Sequence, residues 1–183
     1  MEYFKKISIV LMTIVVISMV SGAYATNITS VNNINDVESN IIYVSPIGND
    51  NWNGLAAVKD GKSENGPKKT IKAALNELDP DGIVKLTPGM YHENNIIINQ
   101  YVTIEGCGAN NTVIDGKRGQ VFYVNASSQL ESKVIFKDLS VENAQSRFEG
   151  SAIYNNGIYD VLIKNCKFHN NKAVPFVTVE VSP

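Results

Sequence analysis

With 183 residues, 44% of them hydrophobic, the chain is long enough for one modest domain together with a targeting segment. Its net charge of −2 and its only two arginines, Arg118 and Arg147, exclude the basic face that nucleic-acid binding requires. Low charge combined with many Asn, Gly, Val and Ile residues instead favours β-structure joined by tight turns.

The first 25 residues have the features of a secretory signal peptide. Lys5 and Lys6 precede an apolar stretch over residues 7–20, and Ala23 and Ala25 are the small residues of a cleavage site. We therefore expect cleavage after Ala25 and a protein that is secreted or held at the cell surface. An uncleaved membrane anchor is the alternative, although a spanning helix needs roughly 18 apolar residues.

The mature chain divides into four segments. Residues 26–40 are polar and Asn-rich, which predicts a flexible leader. Residues 41–82 are expected to hold a strand, a long loop and a helix at 70–78, because Ile71, Ala74, Leu75 and Leu78 follow helical spacing. Short apolar runs between turns fill residues 83–172, and residues 173–183 alternate like a strand.

An internal repeat runs through the third segment. Residues 134–143 match residues 161–170 without gaps, and residues 102–107 match the first part of both. The pattern predicts strands that stack in parallel, with a left-handed turn residue after each strand and an apolar residue returning inward after the turn. The predicted columns are Val102, Val134 and Val161; Ile104, Phe136 and Ile163; the turn residues Gly106, Asp138 and Asn165; and the inward residues Cys107, Leu139 and Cys166.

A series of short motifs resembles a known superfamily. The motifs lie at residues 43–50, 67–71, 88–94, 103–106 and 112–116, within about residues 41–172. Together they resemble pectin-lyase-like right-handed parallel β-helix proteins, and among these they are most similar to adhesin-like surface proteins of methanogenic archaea. The resemblance implies an all-β solenoid, a right-handed parallel β-helix, with a short N-terminal capping helix at residues 70–78.

Enzymes that act on polysaccharides with this fold need paired carboxylates, or acidic calcium ligands beside a basic residue. The repeat predicts only mixed outward columns, one with Glu105, Lys137 and Lys164 and another with Glu142 and His169. No catalytic residue of the superfamily is carried over.

Other ionisable residues receive structural interpretations. His92 and His169 are interpreted as surface-turn residues, and the three aspartates near glycines or turns are interpreted as turn residues. These aspartates are Asp115, Asp138 and Asp160.

The loop before the helix contains two candidate binding features. Its oxygen side chains partly follow a calcium-loop template, with Gly54 at position 6. The candidate calcium ligands are Asn49, Asn51, Asn53 and Asp60, although a plain Asx-rich turn explains the same residues. The only tryptophan, Trp52, is a candidate for stacking on a sugar ring, and the alternative is packing of the loop onto the helix.

Export also gives meaning to three Asn-x-Ser/Thr triplets, at Asn27, Asn110 and Asn125, which are candidate glycosylation sites. Cys107 and Cys166 are separated by one repeat. Their Cα atoms should therefore lie about 9–10 Å apart, too far for a disulfide, so we expect two reduced, buried thiols.

These observations predict a cell-surface module in adhesion or glycan contact that is non-catalytic. A polysaccharide lyase or glycosidase and a purely structural envelope component remain as alternatives. The last repeat ends near Asn171 without a helix to cover it, which predicts self-association through the open C-terminal coil.

The signal-peptide hypothesis makes a direct prediction about mass. Protein purified from the medium or the envelope should begin at Thr26, because signal peptidase cleaves after small residues such as Ala25. Intact-mass spectrometry measures this start. An N-terminus at Met1 would instead support the membrane anchor.

Overall fold

The computed structural model describes residues 40–61, 63–125, 133–147, 149–157 and 160–174. The expected signal peptide, all of the leader except Asn40, and residues 175–183 of the tail lie outside the described residues. Within the described ranges, no helix is long and apolar enough to cross a membrane.

The described residues form one helix and a series of short strands. In chain order these are β1 (Ile41–Val44), α1 (Ile71–Glu77), β2 (Gly82–Leu86), β3 (Gly89–His92), β4 (Ile96–Ile98), β5 (Val102–Glu105), β6 (Thr112–Asp115) and β7 (Phe122–Val124). The remaining strands are β8 (Val134–Lys137), β9 (Ser140–Glu142), β10 (Gln145–Ser146), β11 (Ile153–Asn155), β12 (Val161–Lys164), β13 (Lys167–His169) and β14 (Lys172–Ala173).

All of these strands pair in parallel. The first sheet has the order β1-β2-β5-β8-β12, the second β3-β6-β9-β13 and the third β4-β7-β11, while β10 pairs with β14. Val134 pairs with both Val102 and Val161, as the repeat predicted. The parallel all-β architecture and this register are therefore confirmed.

The inward side chains of the sheets form one apolar core. Val102, Ile104, Val134 and Phe136 are buried, and the rings of Phe122 and Phe136 lie 4.7 Å apart between centroids. The prediction is wrong for Ile163, which is 46% exposed because β12 is the last strand of its sheet. Phe168 and Val174, at the same end, are also exposed, and the predicted self-association remains a prediction.

Helix α1 is the predicted helix, one residue shorter at each end. Its residues contact β1, β2 and β4. The hydroxyl of Thr70 caps it by accepting from Ala73 N at 3.1 Å, and the Glu93 carboxylate accepts from Ile71 N at 2.7 Å. Burial raises the pKa of Glu93, although hydrogen bonds from the backbone of Ile71 and Lys72 lower it in part.

The turn after β5 differs from the prediction. Asp138 and Asn165 adopt the expected left-handed conformation, with φ of 56° and 52°, but Gly106 does not. Glycine is needed there for space, because a Cβ at Gly106 would lie 2.3 Å from the backbone oxygen of Asp138.

A five-residue insertion explains a second difference. Paired residues are 32 apart between β5 and β8 but 27 apart between β6 and β9, so the chain from β5 to β6 contains five extra residues. Buried Thr112, the first residue of β6, therefore corresponds in the register to Leu139, the position that the alignment gave to Cys107. Cys107 lies in the inserted loop and is exposed, which corrects the expected inward position.

Both cysteines are free, as expected. Cys166 is only partly buried, so the prediction of two buried thiols is wrong for Cys107 and incomplete for Cys166. Burial raises the pKa of the Cys166 thiol above its usual value.

The close contact at Gly106 gives a stability prediction. Gly106→Ala should lower the free energy of unfolding by about 1–3 kcal/mol, because the added methyl group overlaps a backbone carbonyl. Urea unfolding measures the change. Thr103→Ala, at a half-exposed site on β5, the strand that precedes Gly106, is the control and should change stability by no more than about 0.5 kcal/mol. An unchanged Gly106→Ala variant would contradict the packing of this turn.

Candidate functional site

The outer face of the second sheet carries a column of four ionisable side chains. In the strand register, His92 pairs with Asp115, Asp115 with Glu142, and Glu142 with His169. The sequence interpretation recognised only Glu142 and His169 and missed the neighbouring carboxylate of Asp115. Both histidines lie in strands, so their assignment to surface turns is wrong.

Asp115 is the most constrained member of this column. Its Oδ2 lies 2.9 Å from Lys117 Nζ and 3.3 Å from His92 Nδ1. Its Oδ1 accepts hydrogen bonds from Lys117 N at 3.0 Å and from Asn143 Nδ2 at 3.4 Å. Both carboxylate oxygens of this buried side chain are therefore engaged.

These contacts determine the charge of Asp115. Burial raises its pKa, but the hydrogen bonds from the side chain and backbone of Lys117 and from Asn143 outweigh burial, so the pKa lies below its usual value. Asp115 is consequently ionised at neutral pH and holds no proton that it could donate to a substrate.

The turn that follows β6 is strained. Gly119 N donates to Gly116 O at 2.8 Å, and the central residues Lys117 and Arg118 have φ of 48° and 65°. Two central residues with positive φ define a type I′ turn, for which Asn and Gly are preferred. Larger residues in this conformation cost on the order of 1–3 kcal/mol each, so Lys117 and Arg118 weaken the turn that presents them.

A cleft of about 370 Å³ lies beside this turn. It extends across three successive levels of the stack, because Arg118 N donates to Asn143 O and Gln145 pairs with Lys172. The lining residues are Asp115, Lys117, Arg118, Asn143, Ala144, Gln145, Asn170 and Lys172.

Two stacked asparagines line this cleft. Asn143 and Asn170 both have left-handed backbones, with φ of 53° and 55°. Asn170 Nδ2 donates to Asn143 Oδ1 at 2.7 Å, and Asn143 Nδ2 donates in turn to Asp115. A ladder of side-chain amide hydrogen bonds therefore runs along the cleft and ends at the Asp115 carboxylate.

The outer face of the third sheet has a different character. Ile97 pairs with Tyr123, which pairs with Tyr154, so one aliphatic and two aromatic side chains form an outward column. The tyrosine rings lie 5.5 Å apart between centroids. Asn156 joins their hydroxyls, because its Nδ2 donates to Tyr123 OH at 2.9 Å and its Oδ1 accepts from Tyr154 OH at 3.3 Å.

Three of the four candidate calcium ligands accept hydrogen bonds in local turns, and Asn51 contributes its backbone N–H to one of them. Asn49 Oδ1 accepts from Asn51 N, Asn53 Oδ1 from Leu55 N and Asp60 Oδ1 from Ser63 N, each at 3.0 Å. Within the described ranges, no group of three or more His, Cys, Asp or Glu side chains is placed to hold a metal ion. Calcium binding stays a prediction.

A carboxylate outside the candidate ligand set has a clear role in this loop. Asp50 Oδ1 accepts hydrogen bonds from the backbone of Lys69 and Thr70, both at 2.8 Å. It thereby ties the loop to the start of α1.

Trp52 packs within its own loop. A Cβ on Gly66 would lie 2.6 Å from the indole Cε3, and Lys59 Nζ lies 5.1 Å from the ring centroid. These contacts are with the loop rather than with α1, and sugar stacking by the half-buried indole stays a prediction.

Two candidate glycosylation sites lie on the surface. Asn110 is exposed in the inserted loop, where its Oδ1 accepts from Lys167 Nζ at 2.5 Å, and exposed Asn125 follows β7. Asn27 lies outside the described residues. Modification of all three stays a prediction.

The sequence contained only weak signals for the site residues that the sequence analysis did not identify. Lys117 and Arg118 stand between two glycines, and Tyr123 and Tyr154 each occupy the centre of a three-residue strand. Neither signal identifies the facing strand without the register.

Comparison with known proteins gives no further assignment: no protein family, curated protein or solved structure matches the chain.

The Asp115 contacts predict a pH-dependent loss of stability. Asp115→Asn should lower the free energy of unfolding at pH 7 by about 1.5–3 kcal/mol, because the ion pair with Lys117 Nζ is lost and the remaining hydrogen bonds go to a neutral amide oxygen instead of a carboxylate. The folded-state pKa is lowered, so the carboxylate stabilises the fold above its unfolded pKa of about 3.9, and this contribution disappears as the pH falls through the folded pKa.

Urea unfolding at pH 7 and pH 3 measures this difference. Asp160→Asn is the matched control, because Asp160 makes an exposed ion pair in which its Oδ2 lies 3.7 Å from Lys133 Nζ. It should have an effect of about 0–1 kcal/mol at pH 7. An equal loss for Asp115→Asn at both pH values would contradict the charge-based explanation.

Proposed function

We propose that the chain is an exported cell-surface module, a right-handed parallel β-helix, that contacts glycans through its outer faces and catalyses no reaction. In-register parallel strands in separate sheets support the β-helix, and connections between parallel strands of one sheet are almost always right-handed. The apolar segment at residues 7–20 and the small residues after it support export.

The aromatic column on the third sheet carries the proposal of glycan contact. Tyrosine rings offer a flat apolar surface to the C–H face of a sugar. Asn156 holds both hydroxyls, so the rings are ordered before a ligand arrives. Ile97, 55% exposed, extends the apolar surface by one more strand.

A carbohydrate-active enzyme is a second candidate. Asp115 and Glu142 are neighbouring carboxylates, and Arg118 follows in the adjacent turn. Catalysis by a carboxylate pair needs one group that donates a proton and one with a free lone pair. The engaged oxygens and lowered pKa of Asp115 disfavour both roles for that residue.

The tyrosine column predicts a binding defect. Isothermal titration with neutral and acidic oligosaccharides should detect binding to the exported chain, and Tyr123→Ala or Tyr154→Ala should weaken it about tenfold, as loss of an aromatic anchor does. Tyr123→Phe and Tyr154→Phe keep the rings and should retain most of the affinity.

Two controls accompany this titration. Ile135→Ala truncates an outward, half-buried side chain on the first sheet and should leave sugar binding unchanged. Trp52 fluorescence, recorded in parallel, reports whether the loop takes part. Absence of binding to every saccharide would favour the purely structural envelope component, and release of new reducing ends or unsaturated products would favour the enzyme.

A further inference from the structure

The cleft beside the strained turn has a charge opposite to that of the whole protein. Its lining contains Lys117, Arg118 and Lys172 against the single carboxylate of Asp115, whereas the complete chain has a net charge of −2. Asp115 is already paired with Lys117 and faces His92, so no carboxylate among the described lining residues compensates the positive charges of Arg118 and Lys172.

Those two side chains are available for a ligand. Arg118 and Lys172 are exposed, and within the described part of the chain neither side chain makes a hydrogen bond or ion pair. The amide of Gln145 also faces no side-chain partner among these residues and lies beside Lys172 in the register. Donors from three successive levels of the stack therefore surround one cleft.

The backbone gives an independent observation. Gly or Asn would satisfy the positive φ of the turn between Gly116 and Gly119 better than Lys117 and Arg118 do. Cationic residues that are kept in a strained turn beside a cleft indicate that their charge serves to bind a ligand.

We infer that this cleft binds a tetrahedral oxyanion, a sulfate or phosphate group. An arginine fork and a lysine on different levels donate from several directions, which suits a tetrahedral group better than a planar carboxylate. The oxyanion belongs to a sulfated or a phosphorylated polymer, or is free in solution. This inference is independent of sugar stacking on the tyrosine column.

The direct test is titration of the exported chain with inorganic sulfate and inorganic phosphate, with acetate as the planar comparison. We expect sulfate or phosphate to bind with a Kd of about 1 mM or tighter, and Arg118→Gln and Lys172→Gln each to weaken binding about tenfold, or about 1.4 kcal/mol. Lys164→Gln removes an exposed lysine from the first sheet and should not change the affinity. Absence of binding at about 10 mM sulfate and phosphate, a concentration that would nearly saturate a millimolar site, or equal binding of acetate would overturn the inference.

Arg118→Gly separates binding from structure. Glycine adopts φ near 65° without strain, so this variant should unfold at a higher temperature and still lose oxyanion affinity. A lower unfolding temperature with unchanged affinity would show that Arg118 has only a structural role and would overturn the inference.

The source of the oxyanion is resolved with polymers. Retention on dextran sulfate but not on a phosphorylated dextran indicates a sulfated ligand, and the reverse indicates a phosphorylated one. Both should depend on Arg118, whereas neutral oligosaccharide binding should depend on Tyr123 and Tyr154. Equal retention on polygalacturonate would assign a carboxylate ligand and contradict the tetrahedral assignment.

Discussion

In-register parallel pairing of short strands is the constraint on which the rest of this structure depends. The strands are only two to five residues long, so none is stable alone, and each gains its hydrogen bonds from the levels above and below. A slip of one residue would turn inward residues such as Ile104 and Phe136 towards solvent. The apolar core therefore fixes the register.

The same constraint fixes the outer faces. Once Tyr91 and Ile114 are aligned in the core, His92 and Asp115 must be neighbours outside it. Tyr123 and Tyr154 are adjacent for the same reason, because Phe122 and Ile153 are aligned on the inward side of the same two strands. Surface columns thus follow from packing, and their chemistry depends on which residues occupy them.

Much of the architecture was predictable because it depends on local patterns. The helical spacing from Ile71 to Leu78 identified α1, and the repeat identified the register of β5, β8 and β12. These features need only apolar periodicity, which the sequence displays directly.

The site was less predictable because it depends on an insertion and on tertiary contacts. Five extra residues before Thr112 hide the relation between β6 and β9, so the alignment placed Cys107 inside and left Asp115 without a neighbour. Gly106 resembled a left-handed turn residue, but the nearby carbonyl of Asp138 is the reason for glycine.

Adjacent carboxylates in a stacked structure are weak evidence of catalysis. Any two acidic residues at the same position of successive repeats become neighbours, as Asp115 and Glu142 do, whether or not they act on a substrate. The hydrogen bonding of each carboxylate is more informative, because a carboxylate whose two oxygens are both engaged by the protein has a structural role. By that criterion Asp115 positions Lys117, whereas Arg118 and Lys172, which have no ion-pair partner in the described part of the chain, are the charges available to a ligand.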